Sequence, residues 1–210
     1  MNDGRGENFL FIISAPSGTG KTTICRYLLG RYSNNLVLSI SATTRQPREM
    51  EVDGVDYFFI TKDGFEKQIK DNGFLEYANV FDNYYGTPLR FVQDKILEKK
   101  NILFDIDWQG MRSIKKQDKF NVSTLFLVPP SIDVLRERLI SRGDSKEQVE
   151  KRIAGFRNDA EKADEYDYVV INDDLNKTCF DVENIYNAEI QKYAKCNNVS
   201  YVNNVLLNEI

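Results

Sequence analysis

A chain of 210 residues suits one domain with insertions and is long enough to bury a sizeable core. Hydrophobic residues at 41% and charged residues at 29% describe a folded globular protein and exclude a disordered one, while a net charge of −4 argues against a general binder of nucleic acid or membrane surfaces. With no histidine, any acid–base role falls to Asp, Glu, Lys or Tyr, and the scattered Cys25, Cys179 and Cys196 argue against a disulfide framework or zinc site and fit a reducing compartment. The polar N-terminus has no signal-peptide core, and no segment reaches the roughly 20 apolar residues of a membrane span, so a cytoplasmic protein is expected.

The first element is the apolar run from Phe9, which reads as a buried parallel strand. It leads into Ser14-Ala15-Pro16-Ser17-Gly18-Thr19-Gly20-Lys21-Thr22-Thr23, a phosphate loop of the x-x-x-x-x-Gly-Lys-Thr type. Gly18 and Gly20 let backbone N–H groups curl around phosphate oxygens, Lys21 can reach the β and γ phosphates, and the Thr22 hydroxyl suits Mg²⁺. A helix starting near Thr22, with Ile24 and Leu28 on one face, points its positive end at the same anion. Gly30 or Ser33-Asn34-Asn35 closes it.

Residues 36–41 read as a second strand. From Ala42 to about Gly86 the texture becomes aromatic and mixed, with one short helix capped by Thr61 and ended by Gly73. Ser41-Ala-Thr-Thr-Arg45-Gln-Pro-Arg48 places two guanidiniums past a strand end, either as a second phosphate site or as a solvated basic turn. Asn83-Tyr84-Tyr85-Gly86-Thr87 offers phenol and hydroxyl donors to the same ligand, or packs as a hairpin. Pro88 opens the next helix, through Val92 and Ile96.

Residues 102–107 form another buried strand ending in Asp105-Ile-Asp107. These acids suit Mg²⁺ placement, capping of neighbouring N–H groups, or a base edge. Guanine presents N1–H and 2-amino donors that carboxylates accept; adenine lacks both, and an unmatched buried carboxylate costs several kcal/mol, on the order of an unpaired polar group. A third strand at 122–128 stops at Pro129-Pro130, and Ser131 caps a helix through Leu135 and Leu139. Arg136, Arg138, Arg142 and Arg152 follow, either closing over phosphates or forming a solvated face, and Ser145 with Gln148 makes a capping box. Residues 168–171 form a strand, and a last long helix from Leu175 leads to a short terminal strand near Tyr201. Alternating strands and helices imply an α/β fold, a mostly parallel sheet with helices on both faces and ligands beyond its carboxyl edge.

With these motifs in hand, the chain resembles the guanylate kinase family of phosphate-loop nucleoside monophosphate kinases over nearly its whole length. The most specific pieces are the phosphate loop, Ser41 to Arg48, Glu51-Val-Asp-Gly-Val-Asp-Tyr57, Phe74-Leu-Glu76-Tyr, Asn83 to Thr87, Asp105-Ile-Asp107-Trp-Gln-Gly110 and Asn172-Asp-Asp-Leu. The resemblance implies one domain: a core of 1–40, 88–135 and 161–210, a GMP-binding insert at 41–87 and a helical lid at 136–160. It implies transfer of the γ-phosphoryl group of ATP to GMP, with Mg²⁺, in the cytoplasm, without nucleic acid or membrane as partner. Activity on dGMP and oligomeric state stay open.

Carried onto matching positions, Ser41, Arg45, Arg48, Tyr57 and Tyr85 hold the GMP phosphate, Glu51 orients the arginine pair, and Glu76, Thr87 and Asp107 read guanine. Residues 15–23 and Asn172 serve ATP, with Asn172 toward the adenine end. Thr22 serves Mg²⁺, with Asp105 or Asp107 through water. Lys21, Arg45, Arg48, Arg138 and Arg152 stabilise the transferring group, with Arg142 a weaker candidate. Ala15 and Thr87 depart mildly from common variants, which carry Gly and Ser there. Rival readings are weaker: peptide-binding relatives lack a complete phosphate loop, and Asp107-Trp-Gln-Gly110 fits a GTPase switch but no Asn-Lys-x-Asp motif follows. A kinase for another monophosphate is the nearest rival.

Overall fold

The structure, a computed structural model, describes residues 6–80 and 82–204. Met1 to Arg5 of the polar N-terminus lie outside the described residues. Five parallel strands make the central sheet, in the order β2-β7-β1-β8-β9: β1 (Phe9–Ser14), β2 (Leu36–Leu38), β7 (Asn101–Asp105), β8 (Asn121–Val128) and β9 (Tyr168–Ile171). Every residue of β1 is buried because the strand lies at the centre of that order and is covered on both faces. Phe9, Phe11 and Ile13 pack with Ile24, Leu28, Val182 and Tyr186, on the side of α1 (Lys21–Arg31) and α7 (Leu175–Asn204). Leu10 and Ile12 pack with Val92, Met111 and Ile114, on the side of α3 (Leu89–Leu97) and α4 (Trp108–Gln117). Strand side chains alternate between faces, so a strand covered on both sides reads as an unbroken apolar run.

A second, mixed sheet in the order β4-β3-β6-β5 comprises β3 (Ala42–Thr43), β4 (Phe58–Phe59), β5 (Phe74–Val80) and β6 (Asn83–Pro88). It packs with α2 (Lys62–Lys70) around its own small core of Ala42, Phe65 and Phe74. The stacked rings of Phe65 and Phe74, with centroids 4.2 Å apart, account for the aromatic texture of this stretch. A third cluster joins α5 (Ile132–Ser141) to α6 (Lys146–Ala160) through Leu135, Leu139 and Val149.

Cap chemistry falls where the sequence places it. Thr61 accepts from Gly64 N–H, Ser131 from Val134 N–H, and Ser145 and Gln148 close a reciprocal capping box. Three expectations are corrected. The second strand ends at Leu38, and the chain crosses to the small sheet, where Ala42 and Thr43 pair with Gly86 and Tyr85. Helix α4, absent from the sequence reading, follows β7 directly, because the Asp107 carboxylate caps it by accepting from Gly110 N–H at 3.0 Å. No terminal strand forms at Tyr201, since α7 runs through it to Asn204. Among the described residues no helix is long and apolar enough to cross a membrane.

Candidate active site

The phosphate loop leaves β1 at Ser14, flanked by the ends of β7 and β8: Ile13 lies opposite Asp105, and Ser14 opposite Phe126. Gly18 and Gly20 take φ of +91° and +93°. A Cβ on Gly18 would meet Leu139 Cδ2 at 2.9 Å, and one on Gly20 would meet Asn172 Nδ2 at 2.5 Å. Both glycines are therefore required for backbone direction and for the close approach of α5 and Asn172. Gly20 precedes α1, which has no side-chain cap and no acid in its first turn, so its N-terminal N–H groups are left for an anion.

A cavity of about 490 Å³ opens on this loop, lined by residues 15–18 and 20–23 with Asp105, Arg138 and Arg142. Thr19 and Asn172 form the layer behind it. The fully buried Thr19 hydroxyl donates to Pro16 O at 2.7 Å, and Asn172 Nδ2 donates to Thr19 O at 2.6 Å. Asn172 is 3% exposed, so it braces the loop from beneath. Lys21 Nζ is ion-paired with Asp105 Oδ1 at the cavity wall. Arg138 Nη2 donates to Asn172 O at 3.0 Å, while Arg142 and Arg152 both donate to Ser17 Oγ, at 3.1 Å and 2.6 Å.

A second polar cluster occupies the small sheet. Arg45 Nη2 is held by both oxygens of Glu51, at 2.7 Å and 3.0 Å, and Glu51 Oε2 also accepts from Arg48 N–H at 2.8 Å. The Arg45 guanidinium carbon lies 5.4 Å from the Tyr57 ring centroid, and Tyr57 meets Tyr85 edge-on at 6.0 Å. The Glu51 hydrogen bond raises the Arg45 pKa further, so this cation is permanent, and the Arg45 hydrogen bond holds the Glu51 carboxyl below its ordinary value. Ser41 enters through its backbone, accepting from Phe58 N–H at 2.9 Å.

The small sheet also carries Glu76, on β5, 8% exposed. Its Oε1 accepts from Thr87 N–H at 3.0 Å and Thr87 Oγ1 at 2.7 Å. Burial raises its carboxyl pKa, the Thr87 hydrogen bonds oppose that rise, and the Asp107 charge adds to it. A Cβ on Gly110 would stand 3.5 Å from Glu76 Oε2, so this second oxygen faces the start of α4, where Asp107 sits. The two acids of Asp105-Ile-Asp107 are thus separated: Asp105 lines the loop cavity, and Asp107 belongs with Glu76. Asp159, near the end of α6, was missed from the sequence. Burial raises its pKa and the Asp107 charge adds, against a Trp108 hydrogen bond and the Lys21 charge. Nothing in its helical run of charges marks it; only the fold carries it to the site.

For a metal, the donor set fits Mg²⁺. The Thr22 hydroxyl and Asp105 carboxylate are hard oxygens on one cavity, and no cluster of three metal-ligating residues occurs among the described residues. Mg²⁺ characteristically takes one or two protein oxygens and completes its shell with phosphates and water.

A parallel sheet with a phosphate loop at its carboxyl edge, leading into an uncapped helix N-terminus, together with an arginine cluster on a second, small sheet, defines a phosphate-loop phosphotransferase. The guanylate kinase family model matches residues 8–189. Guanylate kinase of Rickettsia felis is 47% identical over 189 residues, covering 90% of this chain and 97% of the relative. That of Wolbachia pipientis wMel is 42% identical, covering 91% and 95%. The crystal structure of guanylate kinase from Anaplasma phagocytophilum superposes with a TM-score of 0.67 at 30% identity, covering 87% of this chain and 86% of that one. The chain belongs to the guanylate kinase family. It is a nucleoside monophosphate kinase that uses ATP to phosphorylate GMP.

Proposed function

We propose that the two polar clusters are the two substrate sites of this reaction, and that Glu76 with Asp107 selects guanine. The observation that carries this reading is the buried Glu76 carboxylate, held by Thr87 through one oxygen, with the other beside Gly110 in the first turn of the helix that Asp107 caps. Guanine N1–H and its 2-amino group match such an acceptor pair, and adenine would leave it unmatched. Arg45, Arg48, Tyr57, Tyr85 and Ser41 receive the GMP phosphate, with Glu51 fixing Arg45 by its fork and Arg48 through the backbone.

In the same reading the loop residues and Lys21 receive the ATP phosphates, and Asn172 and Thr19 support the loop from behind. Arg138, Arg142 and Arg152 are clamps on a lid at 136–160, and residues 41–87 form the GMP-binding insert. Thr22 and Asp105 hold Mg²⁺, which when bound neutralises charge on the ATP phosphates. No general base is required, because the GMP phosphate is already an anionic nucleophile. The chain's task is to align that oxygen with the γ-phosphorus, exclude water and meet the spreading charge with Lys21, Arg45 and the lid cations. A cytoplasmic setting completes the reading. Cys25 and Cys179 are free and buried, and burial pushes the Cys25 thiol up to about 12, which suits an inert core thiol in a reducing compartment.

The test is equilibrium binding of GMP, IMP and AMP without ATP. IMP keeps N1–H but lacks the 2-amino donor, so affinity should fall from GMP to IMP to AMP. AMP binding as tightly as GMP would overturn the assignment of Glu76 and Asp107.

A further inference from the structure

Asp144 and Gly143 are the two residues between the C-cap of α5, Arg142, and the N-cap of α6, Ser145. On one side Gly143 takes φ +93°, its N–H donates to Ile140 O at 2.9 Å, and Asp144 N–H donates to Leu139 O at 3.2 Å. This is a Schellman ending, which fixes the direction in which a chain leaves its helix. On the other side the Ser145–Gln148 capping box fixes the start of α6. The backbone of Asp144 is thereby set from both ends, and its side chain is only 13% exposed.

Its carboxylate lies between two cations. It is ion-paired with Arg142 Nη2, and Arg152 Nε is 3.5 Å away. Each guanidinium, tethered by one edge, turns another nitrogen to the phosphate loop. Arg142 Nη1 and Arg152 Nη1 both donate to Ser17 Oγ, at 3.1 Å and 2.6 Å. A planar guanidinium can be held along one edge while offering the other, which a lysine ammonium cannot do. Without a carboxylate between them, the two cations would repel, and each long side chain would sample several rotamers.

We propose that Asp144 is a positioning residue for phosphoryl transfer, holding Arg142 and Arg152 side by side so that their outer edges reach the ATP phosphates together. The proposal rests on the reading of these arginines as phosphate clamps. Asp144 itself touches no phosphate and moves no proton. Ser17 Oγ marks the point at the loop mouth where the two edges converge. In the sequence the signal is faint: one acid between a helix-ending glycine and a capping serine.

The experiment compares steady-state kinetics of the full chain with those of D144N, D144E, R142A/R152A and D144N/R142A/R152A, alongside their Tm. D144N keeps the shape and one acceptor but removes the charge. It should lower kcat about tenfold to a hundredfold, as misplacement of catalytic groups does, with the KM for GMP unchanged. D144E should recover much of that loss, and D144N should cost nothing further in the R142A/R152A background. A wild-type kcat in D144N, beside a large loss in R142A/R152A, would overturn the role of Asp144 and leave the clamps standing. A full further loss in the triple variant, or D144E no better than a folded D144N, would also overturn it. A wild-type kcat in R142A/R152A would instead remove the clamp reading itself.

Discussion

Lys21 and Asp105 form an ion pair at the mouth of the phosphate loop, with the lysine side chain 20% and the aspartate side chain 34% exposed. Asp105 is the last residue of β7, in register with Ile13 one residue before β1 ends, so the parallel sheet delivers this acid to the loop. The pair keeps the Lys21 ammonium oriented, and both members line the cavity. Replacing Lys21 by Met should lower kcat by on the order of a hundredfold or more, the scale for losing one preorganised charge donor. The fold should lose no more than about 1 kcal/mol, as for exposed ion pairs. Initial rates with denaturant unfolding check both, and near-normal turnover would remove Lys21 from the chemistry.

D105N tests the metal assignment. The variant should need several-fold more Mg²⁺ for half-maximal rate at fixed ATP, with part of the lost rate restored at high Mg²⁺. An unchanged Mg²⁺ titration would show that Asp105 only orients Lys21.

Glu76 links pH to both stability and binding. Folding raises its pKa, so the folded chain holds this proton more tightly than the unfolded chain. The associated stability is complete below the ordinary glutamate value of ~4.3 and is lost as pH rises through the raised folded value. Under the proposed assignment of Glu76 to guanine, GMP affinity runs the other way, because the ionised carboxylate would be the acceptor. It should weaken as pH falls through that same raised value. E76Q should hold or raise Tm near neutral pH while weakening GMP binding by tenfold or more, roughly the scale of one charge-assisted hydrogen bond. Calorimetric binding across pH would expose the opposite case, in which E76Q keeps full GMP affinity.

Arg45 is held by Glu51 through two bonds to one nitrogen and lies against Tyr57. A lysine keeps the charge and loses the planar fork. R45K should therefore raise the KM for GMP by about tenfold and leave the KM for ATP within about twofold, as a single charge-assisted contact would. A larger effect on ATP than on GMP would contradict its place in the acceptor site.

The strained loop offers a stability test. G20A puts a Cβ 2.5 Å from Asn172 Nδ2 at φ +93° and should cost roughly 1–3 kcal/mol, the scale of a strained backbone position. Thermal unfolding reads this directly. An unchanged Tm would mean that the loop and Asn172 separate freely.

What the sequence discloses is local chemistry. The run from Phe9 and the loop after it are readable because a strand buried on both faces leaves no polar break and because phosphate binding needs Gly, Lys and Thr close together. The caps Thr61, Ser131 and Ser145 are readable because each acts on an N–H a few residues away. Helix α4 escapes because its apolar face is brief, Met111 and Ile114, and because its N-cap, Asp107, looks equally like a strand-end acid. The strand expected near Tyr201 fails because the preceding helix simply continues through it. Only Ile106 separates Asp105 from Asp107, but the strand end and the helix start send them to different places, and only the packed sheet decides which. Asn172 is likewise placed by its contact with Thr19, more than a hundred residues away, which leaves no local pattern, and Asp144 by the α5–α6 link, whose only local signal is a glycine before it and a capping serine after it.

The most direct measurement is the initial rate of ADP formation from MgATP in parallel with GMP, AMP, UMP, CMP or no acceptor. Rapid ADP formation with GMP, and background rates with the others, is the predicted result. Equal ADP formation without any acceptor, or with AMP in place of GMP, would contradict a site in which Glu76 and Asp107 choose the base and the loop delivers the phosphoryl group.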